Sequence, residues 1–70
     1  MPLTMVDAGA QGTIKKVGGS QEIRRFLENL GFVVGETVTV LSAFGGNMIV
    51  NIKESRVAIN KDMAMKIIIV

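Results

Sequence analysis

The hydrophobic pattern of this chain changes period most plainly at the end of one helix-like stretch. Ile23, Phe26, Leu27 and Leu30 follow the i, i+3, i+4, i+7 spacing that gives a helix one apolar face. Arg24, Arg25 and Glu28 take its other side. Ser20 stands where an N-cap belongs, and Glu22 lies in the first turn, near the positive end of the helix dipole. Gly31 supplies a left-handed residue that ends a helix without a Cβ clash. The stretch from Leu27 to Gly35 therefore reads as helix end and turn, and beyond Gly35 the period falls to two.

From there the chain reads as strand. Val38 and Val40 alternate with Thr37 and Thr39, and Ala43-Phe44-Gly45-Gly46-Asn47 forms a glycine-rich hairpin connection. Met48, Val50 and Ile52 point one way, with Ile49, Asn51 and Lys53 the other. Lys53-Glu54-Ser55 turns the chain, after which Val57 and Ile59 alternate with Arg56, Ala58 and Asn60. Asp62 to Lys66 suits one 3₁₀ turn, and Ile67 to Val70 a last strand pairing with the first. Before the helix, Thr4-Met5-Val6-Asp7 suits a single helical turn. Gly9 and Gly12 bracket a turn into a first strand, Thr13 to Val17, which Gly18-Gly19 breaks. The expected fold is all-β with small helical content: a five-stranded antiparallel barrel with one inserted helix. Ile14, Ile23, Leu27, Leu30, Val38, Val40, Val50, Ile52, Val57 and Ile59 are expected largely inside.

Seventy residues make a single domain, expected over residues 1–70. A chain this short buries roughly 60% of the surface its unfolded form exposes, so its core is thin. A thin core leaves little volume for an enclosed pocket, which argues against an enzyme. Cysteine and histidine are both absent, which removes disulfides, Cys/His zinc sites and a histidine base. The serines and threonines have no histidine to activate them, and the six carboxylates show no paired spacing. Gly9-Ala10-Gln11-Gly12 and Gly18-Gly19 lead into neither a Lys-Ser/Thr pair nor a dinucleotide-binding spacing. Met63-Ala64-Met65 looks like a soft-metal thioether pair, but two methionines beside a terminal strand fit gap-filling core better. No catalytic residue, metal ligand or cofactor is expected.

The formal charge of +2 is dispersed rather than gathered into a run, the pattern of a solvated surface. Stacking aromatics are too few to interleave with it, so nucleic-acid binding is not expected. No secretory pattern opens the chain, and its longest apolar stretch falls far short of the roughly 20 residues that cross a bilayer. The expectation is a cytoplasmic domain with no direct membrane insertion.

Several motifs, taken in order, resemble the FeoA family of ferrous iron transport proteins over nearly the whole chain. Pro2-Leu3-Thr4, followed by Gly9-Ala10-Gln11-Gly12-Thr13-Ile14, is similar to that family's first turn and strand. Leu27 through Leu30-Gly31-Phe32, with Gly35, Val38 and Val40, resembles its most characteristic segment. Ala43-Phe44-Gly45-Gly46 looks like its hairpin, Arg56-Val57-Ala58-Ile59 its fourth strand, and Ala64 to Val70 its ending. Val34 and Asn47 stand where the family often has proline, and Phe26 where a basic residue is usual. The resemblance implies an SH3-like barrel and a non-enzymatic accessory to FeoB, the membrane iron transporter with a GTP-binding domain. It places such a protein in the cytoplasm, recruited to the inner face of the membrane by its partner.

Two other readings remain: a small basic barrel binding nucleic acid, and a detached domain of the iron- and manganese-dependent repressors. In those repressors a similar barrel follows a winged-helix region, and no region of that kind is expected here. For a protein-interaction module the candidate residues are Phe44, Arg24, Arg25 and Arg56. Phe44 at a glycine hairpin either projects as an anchor or folds back to cap the barrel, and the arginines offer a charged rim. Weak self-association is a further expectation.

Overall fold

Strands β1 (Gln11–Val17), β2 (Thr37–Phe44), β3 (Asn47–Ile52), β4 (Ser55–Asn60) and β5 (Ile67–Ile69) form one antiparallel sheet in a computed structural model covering residues 1–70. Their order is β4-β3-β2-β1-β5. Helix α1 (Gln21–Leu30) connects β1 to β2, and a one-turn helix, α2 (Lys61–Ala64), connects β4 to β5. Five strands with one inserted helix is the expected count. Two small helical turns differ from expectation. The segment expected as 3₁₀ at Asp62–Lys66 is α-helical and starts earlier, because the Asn60 side chain accepts a 2.8 Å hydrogen bond from the Met63 N–H and caps it. Near the N-terminus, Leu3–Met5 forms a 3₁₀ turn with no side-chain cap, and it buries Leu3.

The sheet rolls because β1 serves two ladders. Gln11, Gly12 and Thr13 pair with Thr39, Val38 and Thr37, whereas Ile14, Lys16 and Val17 pair with Ile69, Ile68 and Ile67. A bulge between Ile14 and Lys16 marks the second ladder and leaves Lys15 and Lys16 both in solvent. Gly12 leaves no room for a side chain between β1 and β5: a Cβ there would run into Cγ2 of Ile69. The outer flank of β5 is covered by the first two residues. The Met1 amino group donates to the Ile69 carbonyl at 2.8 Å, the Ile69 N–H donates back to the Met1 carbonyl at 2.6 Å, and Pro2 bridges Ile68.

Inside lie Leu3, Ile14, Leu27, Phe32, Val38, Val40, Met48, Val50, Ile52, Ile59, Ala64, Ile67 and Ile69, with no polar or charged side chain among them. Ile23, Leu30 and Val57 were expected largely inside but are only partly buried, packing at the margin of this cluster. Ile23 and Leu30 lie toward the two ends of α1, and Val57 lies on an edge strand. The one fully buried residue of the helix is Leu27, at the start of its last turn. Phe26, assigned by spacing to the apolar face, is 48% exposed because that face is wider than the contact it makes.

Both ends of α1 are closed as its sequence requires. Ser20 Oγ accepts from the Ile23 N–H at 3.2 Å. At the other end Gly31 has φ 109°, its N–H donates to Glu28, and the Phe32 N–H donates to Leu27. That pair of bonds is a Schellman motif, and the buried Phe32 and Leu27 supply the hydrophobic contact that accompanies it.

The two hairpins turn differently in chemistry though not in geometry. Gly45 and Gly46 take φ values of 57° and 78°, the doubly left-handed turn that suits twisted strands. Lys53 and Glu54 take φ values of 47° and 65° with no glycine at all. Left-handed backbone costs an ordinary residue roughly 1–2 kcal/mol. Glu54→Gly should therefore raise stability by up to about 1 kcal/mol, after the entropy lost to a freer unfolded chain. A lowered urea midpoint would show that Glu54 makes a compensating contact. Truncating Leu27 to alanine should cost about 2–5 kcal/mol, and Leu30→Ala less than that range, in the same titration. Equal losses would mean that Leu30 carries as much of the helix contact as Leu27.

Candidate interaction surface

β2, β3 and β4 form a meander with one inward and one outward face. Val38 pairs with Ile52, Val40 with Val50, Met48 with Ile59, and Val50 with Val57, all facing in. The outward rows are Thr39–Asn51–Arg56, Ser42–Ile49–Ala58 and Phe44–Asn47–Asn60. A bulge between Val40 and Ser42 sets this register and pushes Leu41 out of the ladder, which accounts for an exposed leucine in an apolar run. The face is mostly amide, hydroxyl and small aliphatic. From β1, Gln11 Oε1 joins it by accepting a long 3.5 Å hydrogen bond from Thr39 Oγ1.

Phe44 ends the row nearest the hairpin turn. It is 64% exposed, so of the two arrangements open to it, the projecting one is adopted. Its backbone pairs with Asn47 across the turn, and the turn itself is tied to the start of α2 by the Gly46 carbonyl, which accepts a 3.0 Å bond from the Lys61 N–H. An aromatic ring is thus presented at a paired hairpin end with solvent around it.

The arginines fall elsewhere. Arg56 shares the outward face but lies two strands across and four residues along from Phe44, roughly 15 Å away by strand geometry. Arg24 and Arg25 are exposed on α1. The C-terminal end of that helix rests on the β3–β4 turn, where a Cβ on Gly31 would sit 3.5 Å from Lys53 Cδ. That turn is at the opposite end of β3 from Phe44, about 17 Å off at the usual strand rise. Phe44 and Arg56 therefore lie toward opposite ends of the meander, and the other two arginines are on the helix, rather than all in one patch.

Two open depressions mark the surface. One, at the start of α1, is lined by Ser20, Gln21, Glu22 and Arg25. The other, about 360 Å³, is apolar and lies where the chain ends meet, lined mainly by Met1, Met5, Val6, Ala10, Ile69 and Val70. Sequence spacing did not reveal this second hollow. Its signal is the inward Ile67 and Ile69 followed by the exposed Val70, together with the exposed Met5 at the end of the 3₁₀ turn.

Nowhere do three or more carboxylates converge. The single ion pair, Lys53 with Glu36 at 3.7 Å, is exposed on both sides and adds little stability. No helix is long and apolar enough to cross a membrane.

The barrel is similar to known structures over its full length. It matches an iron uptake regulatory protein, FeoA, at 26% identity and TM-score 0.92, covering 99% of this chain and 93% of the other. It also matches Stenotrophomonas maltophilia FeoA, described as a prokaryotic SH3 domain protein, at 24% identity and TM-score 0.88, covering 100% of this chain and 89% of that one. A manganese-dependent transcriptional repressor shares the fold at 22% identity and TM-score 0.91, and there the whole of this chain corresponds to 40% of the repressor. No curated protein matches the chain in sequence. The family model of the FeoA domain spans residues 1–70, so the chain belongs to the FeoA family, an SH3-like domain family associated with ferrous iron transport.

Proposed function

We propose that this chain is a non-enzymatic accessory of ferrous iron transport, acting in the cytoplasm by binding the GTP-binding membrane transporter FeoB. The observation that carries the reading, beyond family, is Phe44: a large apolar side chain held in solvent at a paired hairpin end. An exposed aromatic on paired backbone loses little conformational freedom on binding, the property of an interface anchor. Arg56 on the same face, and Arg24 and Arg25 on α1, add positive charge that steers an acidic partner and bears on association rate more than affinity. Residues 1–70 act as one domain in this reading, recruited to the inner face of the membrane by the transporter.

Binding of purified chain to full-length FeoB in detergent tests the reading. Phe44→Ala should weaken the complex about tenfold or more, roughly 1.4 kcal/mol, while stability moves by no more than about 0.5 kcal/mol. Loss of stability alongside binding would make Phe44 a structural residue instead. No FeoB complex, but salt-sensitive binding to random oligonucleotides, would replace the reading with a nucleic-acid one. Iron is the transporter's cargo here, and the dispersed carboxylates lack a converging ligand set. Calorimetric titration of the isolated chain with ferrous iron should accordingly show no stoichiometric submicromolar site, and finding one would give the chain a direct part in handling iron.

A further inference from the structure

β4 is a free edge of the sheet. Its hairpin with β3 closes on the Ile52–Ser55 pair across the two-residue turn Lys53–Glu54. In such a hairpin the closing pair is hydrogen-bonded, and bonded and non-bonded pairs alternate from there. Ser55, Val57 and Ile59 thus direct their N–H and C=O groups at β3, and Arg56 and Ala58 direct theirs outward. No turn, loop or cap hydrogen bond engages the backbone of Arg56 or Ala58. The edge also lacks the usual guards: β4 contains no proline, its ladder with β3 has no bulge, and Arg56 is its one charge.

We infer that β4 pairs antiparallel with β4 of a second copy of this chain, about a two-fold axis at Ala58. The register follows from what each position presents. With Ala58 opposite its own copy, outward groups meet outward groups, and both sheets keep their inner faces on the same side. Val57 then lies opposite the partner subunit's Ile59, aliphatic against aliphatic, and Arg56 opposite the partner subunit's Asn60, polar against polar. A two-fold axis at Val57 would instead set Arg56 against alanine and Ile59 against serine. A one-residue slip would turn each inner face outward. The small Ala58 side chain leaves the axis unobstructed, and Val57, half-buried only because it stands at an edge, gains cover. The two Arg56 residues lie four positions apart along the paired strands, about 13 Å, beyond the screening length at physiological salt.

This pairing holds or fails independently of any transporter contact. Sedimentation equilibrium of the purified chain, from about 10 μM to about 1 mM, should show a monomer–dimer equilibrium in the weak range of affinities. Ala58→Lys sets two ammonium stems at the axis, where paired Cα atoms are about 5.5 Å apart, and should raise the dissociation constant at least tenfold with an unchanged melting curve. Ala58→Pro should do the same by removing an outward N–H that β3 does not use. Thr13→Lys, on the outward side of β1 and away from this edge, should leave the dimer intact. A chain that stays monomeric throughout overturns the inference. So does a dimer indifferent to Ala58→Lys, or one lost equally to Thr13→Lys.

Discussion

The constraint on which the fold depends is that one strand must complete two ladders. β1 gives its first three residues to β2 and the remainder to β5, and only this division turns a five-stranded ribbon into a barrel. Two features permit it. Gly12 has no side chain where Ile69 crosses, and the bulge at Lys15 re-aims the strand so that Ile14 stays inside while two lysines stay out. A larger protein could absorb an imperfection at such a seam. With thirteen buried hydrophobic residues in all, this one has little else to lean on.

The helix is bound to that barrel at its ending. Its last turn begins with Leu27 and runs through Gly31 into Phe32, so the residue that stops the helix is followed by the largest side chain in the core. Termination and packing are therefore one event. Phe26, Arg24 and Arg25, in the central part of the helix, stay at the surface without any cost in buried polarity.

Much of this was legible in residue order because the signals are local. Ser20 and Gly31 cap what they bracket, Gly45-Gly46 forms a left-handed turn, and alternation places Val38, Val40, Val50 and Ile52 inside. What was not legible depends on partners distant in sequence. Periodicity states which side of an element is apolar but not how much of that side finds a neighbour, hence the misplaced Phe26 and the half-buried Ile23, Leu30 and Val57. Leu3, Ala64, Ile67 and Ile69 are buried by the meeting of the chain ends, a contact no local window contains. At the surface, the glycine neighbours of Phe44 left it free to project or to fold back, and both its exposure and its separation from the arginines required the folded sheet. Lys53 and Glu54 carried no sign of left-handed backbone, since neither residue type favours it.

The meeting of the ends has a consequence for how such a barrel can be built into other chains. The Met1 nitrogen bonds the Ile69 carbonyl, and Pro2 bridges Ile68, so the first and last residues leave the barrel side by side. A preceding residue would convert the Met1 ammonium to an amide, which still has one N–H to donate to the same carbonyl. Linkage at either end can therefore spare the seam, and both linkages emerge at one place. A fold with this geometry is suited to serve as an appendage, in keeping with its occupying 40% of a much longer repressor.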